Sequence, residues 1–186
     1  MTTLWTPYTP DLYSDLPVLV RDWVALTSSM TARIGLVADS PIDVEVLRQT
    51  EAQLRPDEAG LLELSDGPTV VREVCLSAEG LPLLVARTAV TSQKLQAHPT
   101  IVKLGNKALG SLLFAGPKPC PYTAREFARL TEGDALFDLV RSRHSGAAAQ
   151  SEYWARRTLF WLFDEPLLVT EIFLPELLEH PRAREV

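Results

Sequence analysis

Residues Thr69 to Val90 read Thr-Val-Val-Arg-Glu-Val-Cys-Leu-Ser-Ala-Glu-Gly-Leu-Pro-Leu-Leu-Val-Ala-Arg-Thr-Ala-Val. Two β-branched, apolar runs flank Ala78-Glu79-Gly80, and Gly80 accepts the positive φ that a tight hairpin turn requires. A second unit of the same kind joins Arg156–Phe163 to Leu167–Leu174 across Asp164-Glu165-Pro166. Connections this short permit only antiparallel pairing. The two hairpins therefore predict an α+β protein built on a largely antiparallel sheet.

Helical patterns surround them. Leu16, Leu19, Val20, Trp23 and Ala25 or Leu26 follow helical spacing, with Asp15 placed to cap and Pro17 in the first turn. Ser28 or Ser29 is placed to cap a second helix through Met30, Ile34 and Val37, ended by Asp39-Ser40-Pro41. Ile42, Val44 and Val46 alternate with polar residues as in a strand with one wet face, and Pro56 to Gly60 reads as loop. Residues 103–114 read as a glycine-hinged loop entering a short helix before the bend at Pro117, Pro119 and Pro121. Tyr122–Thr131 fits either strand or helix, whereas Asp134–Arg143 has the helical pattern through Leu136, Phe137 and Val140. Ser145–Ser151 reads as a small, polar loop. The chain of 186 residues shows no repeat or linker, so one domain over 1–186 is expected, with residues 1–14 and 176–186 as frayed tails.

Composition narrows the function. With 18 Lys plus Arg against 24 Asp plus Glu and no basic run, the chain is poorly suited to nucleic acid. Its apolar stretches fall well short of the roughly 20 residues that span a bilayer, and the N-terminus has no export-signal pattern, so a cytoplasmic location is expected. Cys75 and Cys120 form no CxxC pair and read as free thiols; the three histidines lie apart in loops and tail, which disfavours a metal centre.

Three charges interrupt apolar rows. Side chains alternate along a strand, so Arg72 shares a face with Val70, Val74 and Leu76, Arg87 with Leu83, Val85 and Ala89, and Glu171 with Leu167, Val169 and Phe173. Such charges must pair with one another, reach solvent, or meet a ligand. Two arginines against one glutamate leave a surplus cation, which suits an anionic ligand, and the planar guanidinium fork suits a carboxylate. Arg156-Arg157 reads as a solvated strand start, and the aromatic cluster around Trp161 as core filling.

At this level the chain resembles the bacterial chorismate pyruvate-lyases. The resemblance rests on Asp22-Trp23 with Ser29-Met30-Thr31-Ala32-Arg33, on Arg72-Glu73-Val74 followed by Gly80 and Ala86-Arg87-Thr88, on Lys103-Leu104-Gly105 with Leu109-Gly110 and Leu113-Phe114, and on Ala155-Arg156-Arg157 with Pro166 to Pro175. The segments around Pro56, Pro117–Pro121 and Gly146, and the extension after Pro175, depart from the family pattern. The resemblance implies a sheet of about six antiparallel strands with flanking helices and two helical flaps over a buried ligand. It implies conversion of chorismate to 4-hydroxybenzoate and pyruvate at the entry to ubiquinone synthesis, by a monomer needing no cofactor. By the same resemblance Arg72 and Glu171 bind the ligand, Met30 and Leu109 contact it from the flaps through their main chain, and Arg87 is a second arginine beside the cavity. Arg72 would hold the ring carboxylate, Arg87 the enolpyruvyl carboxylate, and Glu171 the ring hydroxyl, as hydrogen-bond partner or also as proton acceptor. The alternative is an effector-binding domain of the same fold; such domains follow a DNA-binding helix-turn-helix, and only about fifteen residues precede the first predicted helix here.

Overall fold

The computed structural model describes residues 3–62, 68–91, 104–114, 120–143 and 150–184. Its strands are β1 (Thr6–Pro7), β2 (Asp43–Glu51), β3 (Thr69–Ala78), β4 (Leu81–Thr91), β5 (Tyr122–Thr131), β6 (Glu152–Leu162) and β7 (Glu165–Phe173). They form one antiparallel sheet of seven strands in the order β1-β5-β6-β7-β4-β3-β2, one strand more than expected because the two-residue β1 pairs with β5. The helices are α1 (Val18–Ala25), α2 (Met30–Ala38), α3 (Pro56–Leu61), α4 (Gly110–Leu113), α5 (Ala135–Arg141) and α6 (Pro175–Leu178).

Both predicted hairpins form. Glu79 (φ 50°) and Gly80 (φ 80°) make the β3–β4 turn, and Phe163 (φ 55°) and Asp164 (φ 59°) make the β6–β7 turn, one residue earlier than the sequence suggested. Positive φ at both central residues matches the right-handed strand twist. A one-residue irregularity between Leu76 and Ser77 shifts the β3–β4 register, so that Arg72 lies opposite Thr88 and Glu73 opposite Arg87.

Each face of the sheet carries its own layer. On one face α1 and α2 bury Val20, Trp23, Ile34 and Val37 with Val74, Leu84 and Phe173. On the other, α5 packs Leu136, Phe137 and Val140 on Val85, Ala155 and Ile172, while Leu62, beyond α3, meets Ala89, Leu159 and Leu168. With both faces covered, the central strands lack a wet side, and an apolar row on one of them does not say which layer it faces.

Several expectations change. Helix α1 starts at Val18 with Pro17, not Asp15, at its cap, and Asp15 ends a separate 3₁₀ turn (Pro10–Asp15). Ser29 does cap α2, its hydroxyl accepting the Ala32 N–H. The segment from Pro56 is helical, because proline is preorganised for the first helical position and the Glu58 carboxylate accepts the Arg55 N–H at 3.0 Å. Tyr122–Thr131 is a strand. The expected frayed tails are mostly exposed or half-buried but anchored: Leu177 and Ala183 join the α1–α2 core, and Thr3 donates to Asp134. Apolar side chains thus anchor the charged C-terminal stretch, and a hydrogen bond the N-terminal one. Pro117, Pro119 and residues 145–149 lie outside the described residues. Neither cysteine is in a disulfide: Cys75 is buried, and the half-buried Cys120 donates its thiol to the Trp161 carbonyl at 3.2 Å.

Candidate active site

Between the sheet and the α1–α2 layer lies a cavity of about 600 Å³ including its mouth. Its floor is made by Arg72, Val74 and Leu76 of β3, Leu84, Ala86 and Thr88 of β4, Val169 and Glu171 of β7, and Arg156 and Phe160 of β6. Two segments cover it: Met30 and Thr31 at the start of α2, and Lys107 to Gly110 with Leu113 and Phe114 leading through α4. The covers touch at Gly110, where an added Cβ would lie 3.0 Å from Ser29 Oγ. Met30 and Leu109, expected in the flaps, therefore occupy the two covers.

Arg72 lines the cavity, with only 7% of its surface exposed. Its guanidinium donates to Gln49 Oε1 (2.7 Å) and to the carbonyls of Gly105 (2.7 Å) and Lys107 (3.4 Å), and meets no carboxylate among the described residues. Burial lowers its pKa from the ordinary arginine value. Gly105 adopts φ +52°, a left-handed turn that a side chain would strain, and its carbonyl accepts from Arg72. The second cover is thereby tied to the cavity-lining Arg72.

Glu171 also reaches the cavity, where it pairs with an arginine that the sequence reading had left in solvent. Arg156, 3% exposed, donates through Nε to Glu171 Oε2 at 2.5 Å and through Nη1 to the carbonyls of Trp23 (2.9 Å) and Leu26 (2.8 Å). One guanidinium thus holds Glu171 and satisfies carbonyls at the end of α1, which lack helical partners. The signal for it was present: Arg156 shares its strand face with Trp154, Thr158 and Phe160, the same pattern that singled out Arg72. Thr88, Thr31 and Lys107 are further polar lining residues not anticipated.

Arg87 is not in the cavity. It points to the opposite face, where Nε and Nη2 donate to Glu58 (2.8 and 2.9 Å) and Nη1 to Glu73 (2.6 Å). Burial opposes its charge, yet the bonds and charges of Glu58 and Glu73 outweigh burial and raise its pKa. Arg157 joins this layer, bound to Asp57 (2.7 Å) and Glu126 (2.5 Å) and stacked over Trp5. Arg87 is therefore ion-paired, but with Glu58 and Glu73 and not with Glu171, and the register turns it away from the cavity in which it was expected to meet ligand.

The cavity holds Arg72, the Arg156–Glu171 pair and the exposed Lys107 in largely apolar walls, a net positive site closed from above. Such a lining suits an anionic, mostly apolar ligand. Among the described residues no cluster of His, Cys, Asp and Glu is arranged to hold a metal, and no helix is long and apolar enough to cross a membrane.

Known proteins bear on this site. A probable chorismate pyruvate-lyase of Methylococcus capsulatus is 35% identical over 166 residues, covering 88% of this chain and 99% of its own. One of Aromatoleum aromaticum is 38% identical over 168 residues, covering 89% and 90%. Among solved structures, PhnF from Mycobacterium smegmatis superposes with a TM-score of 0.60 at 12% identity over 82% of this chain and 66% of that one. The ligand-binding domain of a GntR-family transcriptional regulator from Bordetella bronchiseptica gives 0.53 at 10% identity, over 74% and 85%. At such identities these two share the fold alone. The family model described as chorismate lyase matches residues 2–183, and the chain belongs to the chorismate lyase family.

Proposed function

We propose that the protein removes pyruvate from chorismate to give 4-hydroxybenzoate, the entry reaction of ubiquinone synthesis, as a cytoplasmic monomer whose site residues all come from one chain. The observation that carries this reading is a buried arginine free of carboxylate partners among the described residues, Arg72, facing a Glu171–Arg156 pair across a closed and mainly apolar cavity. Arg72 takes the ring carboxylate, and Glu171 lies where the ring hydroxyl of the same molecule would be received.

The reaction breaks the ether C–O bond to the enolpyruvyl group and removes the neighbouring ring hydrogen as a proton. The C–H electron pair closes the aromatic ring, the ether electrons leave on enolpyruvate, and a proton returned to its methylene carbon gives pyruvate. Aromatisation drives the step, so the protein's main task is to hold the ring, exclude water and balance charge. Arg72 does this for the carboxylate. Arg156 fixes the Glu171 carboxylate toward the hydroxyl-bearing carbon, as hydrogen-bond acceptor or as first acceptor of the ring proton.

Incubating the pure protein with chorismate, without added metal or nucleotide, should release 4-hydroxybenzoate and pyruvate in equal amounts. No product, or activity lost to EDTA and restored by metal, would overturn the reading.

A further inference from the structure

Chorismate carries two carboxylates, and with Arg87 on the opposite face only Arg72 has been matched to one. A second buried arginine meets no carboxylate among the described residues. Arg125 of β5 is 9% exposed, donates through Nη1 to the Ala25 carbonyl at 3.1 Å, and leaves Nε buried without a partner among the described residues. Its pKa is lowered by burial first and then by the nearby Arg156 charge. Next to it, the Thr158 hydroxyl is also buried without a partner.

The sheet register places these groups on one line. Arg72 pairs with Thr88, Thr88 with Val169, Val169 with Thr158, and Thr158 with Arg125. Residues directly opposite in a sheet share a face, so this rung runs from Arg72, Thr88 and Val169 on the cavity floor to Thr158 and Arg125 just beyond its edge. At about 4.8 Å per strand its backbone ends lie about 19 Å apart, with Thr88 and Val169 of the cavity floor between them. On β6, Thr158 sits between Arg156 and Phe160, both of which line the cavity. Tyr122 bridges the rest of the way, its ring against Phe160 at 6.1 Å and under the Arg125 guanidinium at 4.7 Å.

We propose that Arg125, with the Thr158 hydroxyl, forms a second carboxylate subsite that receives the enolpyruvyl carboxylate of chorismate. The inference rests on the chorismate reading above. It makes opposite demands on two ligands, because 4-hydroxybenzoate lacks the second carboxylate.

The test compares the KM for chorismate with the Kd of 4-hydroxybenzoate in the full-length protein and its R125Q, T158V and K107A variants. R125Q should raise the KM about 10- to 100-fold, the loss of a charged hydrogen bond, and leave the Kd of 4-hydroxybenzoate within twofold. T158V keeps the shape of the side chain, so it tests the subsite even if R125Q fails to fold. It should raise the KM severalfold while raising the melting temperature, since it removes a buried hydroxyl without a partner. An unchanged KM in T158V and in folded R125Q, in an enzyme that turns chorismate over, overturns the subsite alone. Equal losses for both ligands reduce Arg125 to a structural role and overturn it too. A KM raised only by K107A assigns the carboxylate to Lys107 instead. Absence of turnover in the unaltered protein overturns the functional reading and the subsite with it.

Discussion

Gly110 is the point at which the two covers meet, so adding a methyl there tests whether they must part for product to leave. An alanine Cβ would lie 3.0 Å from Ser29 Oγ, tighter than ordinary contact, with Thr31 Oγ1 at 3.7 Å and Phe114 Cδ2 at 4.0 Å. The hydroxyl under pressure caps α2, accepting the Ala32 N–H at an already long 3.3 Å. Displacing it by a few tenths of an ångström forfeits the cap, worth about 1 kcal/mol. Gly110 lies outside the left-handed region, so alanine also restrains the unfolded chain and returns about 0.4–1 kcal/mol. The two effects nearly cancel in global stability, but the contact exists only while the covers are closed. Gly110→Ala should therefore leave the melting temperature almost unchanged and weaken 4-hydroxybenzoate binding about fivefold, the equivalent of about 1 kcal/mol. Where release limits turnover, the steady-state rate after a product burst should rise as affinity falls. In a Ser29→Ala background, which has already lost the cap hydroxyl, the further effect of Gly110→Ala should vanish, a coupling that a double-mutant cycle measures. The reasoning fails if Gly110→Ala lowers the melting temperature with product affinity intact. It also fails if stopped-flow traces of the unaltered protein are linear, with no burst and no inhibition by added 4-hydroxybenzoate.

Arg72→Gln should cost about 2–5 kcal/mol of 4-hydroxybenzoate binding by titration calorimetry, and unchanged affinity in a folded variant would remove Arg72 from the site. Arg156→Met strands Glu171 and should cost about 3–5 kcal/mol in urea unfolding, whereas Arg156→Met with Glu171→Leu should recover much stability but no activity; equal stability of single and double variants would refute the pairing. Arg87→Met should destabilise the fold and leave 4-hydroxybenzoate affinity of the folded protein unchanged, a loss of affinity placing Arg87 back at the cavity. Burial pushes the Glu58 carboxyl upward, but the Arg87 hydrogen bond and the Arg55 charge outweigh burial and hold its pKa below the ordinary value. Its stabilising contribution is then complete above the unfolded value of about 4.3 and is lost as pH falls through the lower folded value. Urea midpoints against pH should show that acid loss, and Glu58→Gln should flatten it; an unaltered slope would refute the assignment.

The hairpins were legible because their turn residues and β-branched runs are local signals. The faces of the charges were not. With Ala78 opposite Leu81, an uninterrupted ladder would set Arg72 directly across from Arg87, on one face. The irregularity between Leu76 and Ser77 moves the pairing by one residue, and in a structure of period two that sends Arg87 to the other side. Nothing in the local pattern marks that slip. Glu58 was missed for a related reason: α3 is short, and the long-range Arg87 pair that holds it is invisible to periodicity. Arg156 was within reach of the strand-face rule and was set aside because its neighbour Arg157 suggested a solvated pair.

Consecutive residues of the central strands serve two different layers: Arg72 and Glu73, Ala86 and Arg87, Arg156 and Arg157, and Glu171 and Thr170 each divide between the cavity and the opposite side. Selection therefore acts on these strands with two alternating criteria. In a library that varies every position of them, substitutions on the parity of Arg87 would act by depleting the protein from the cell, whereas those on the parity of Arg72 would also silence the protein that remains. Each irregularity in the ladder would appear as a break in that alternation, so the pairing register is written into the pattern of tolerated change.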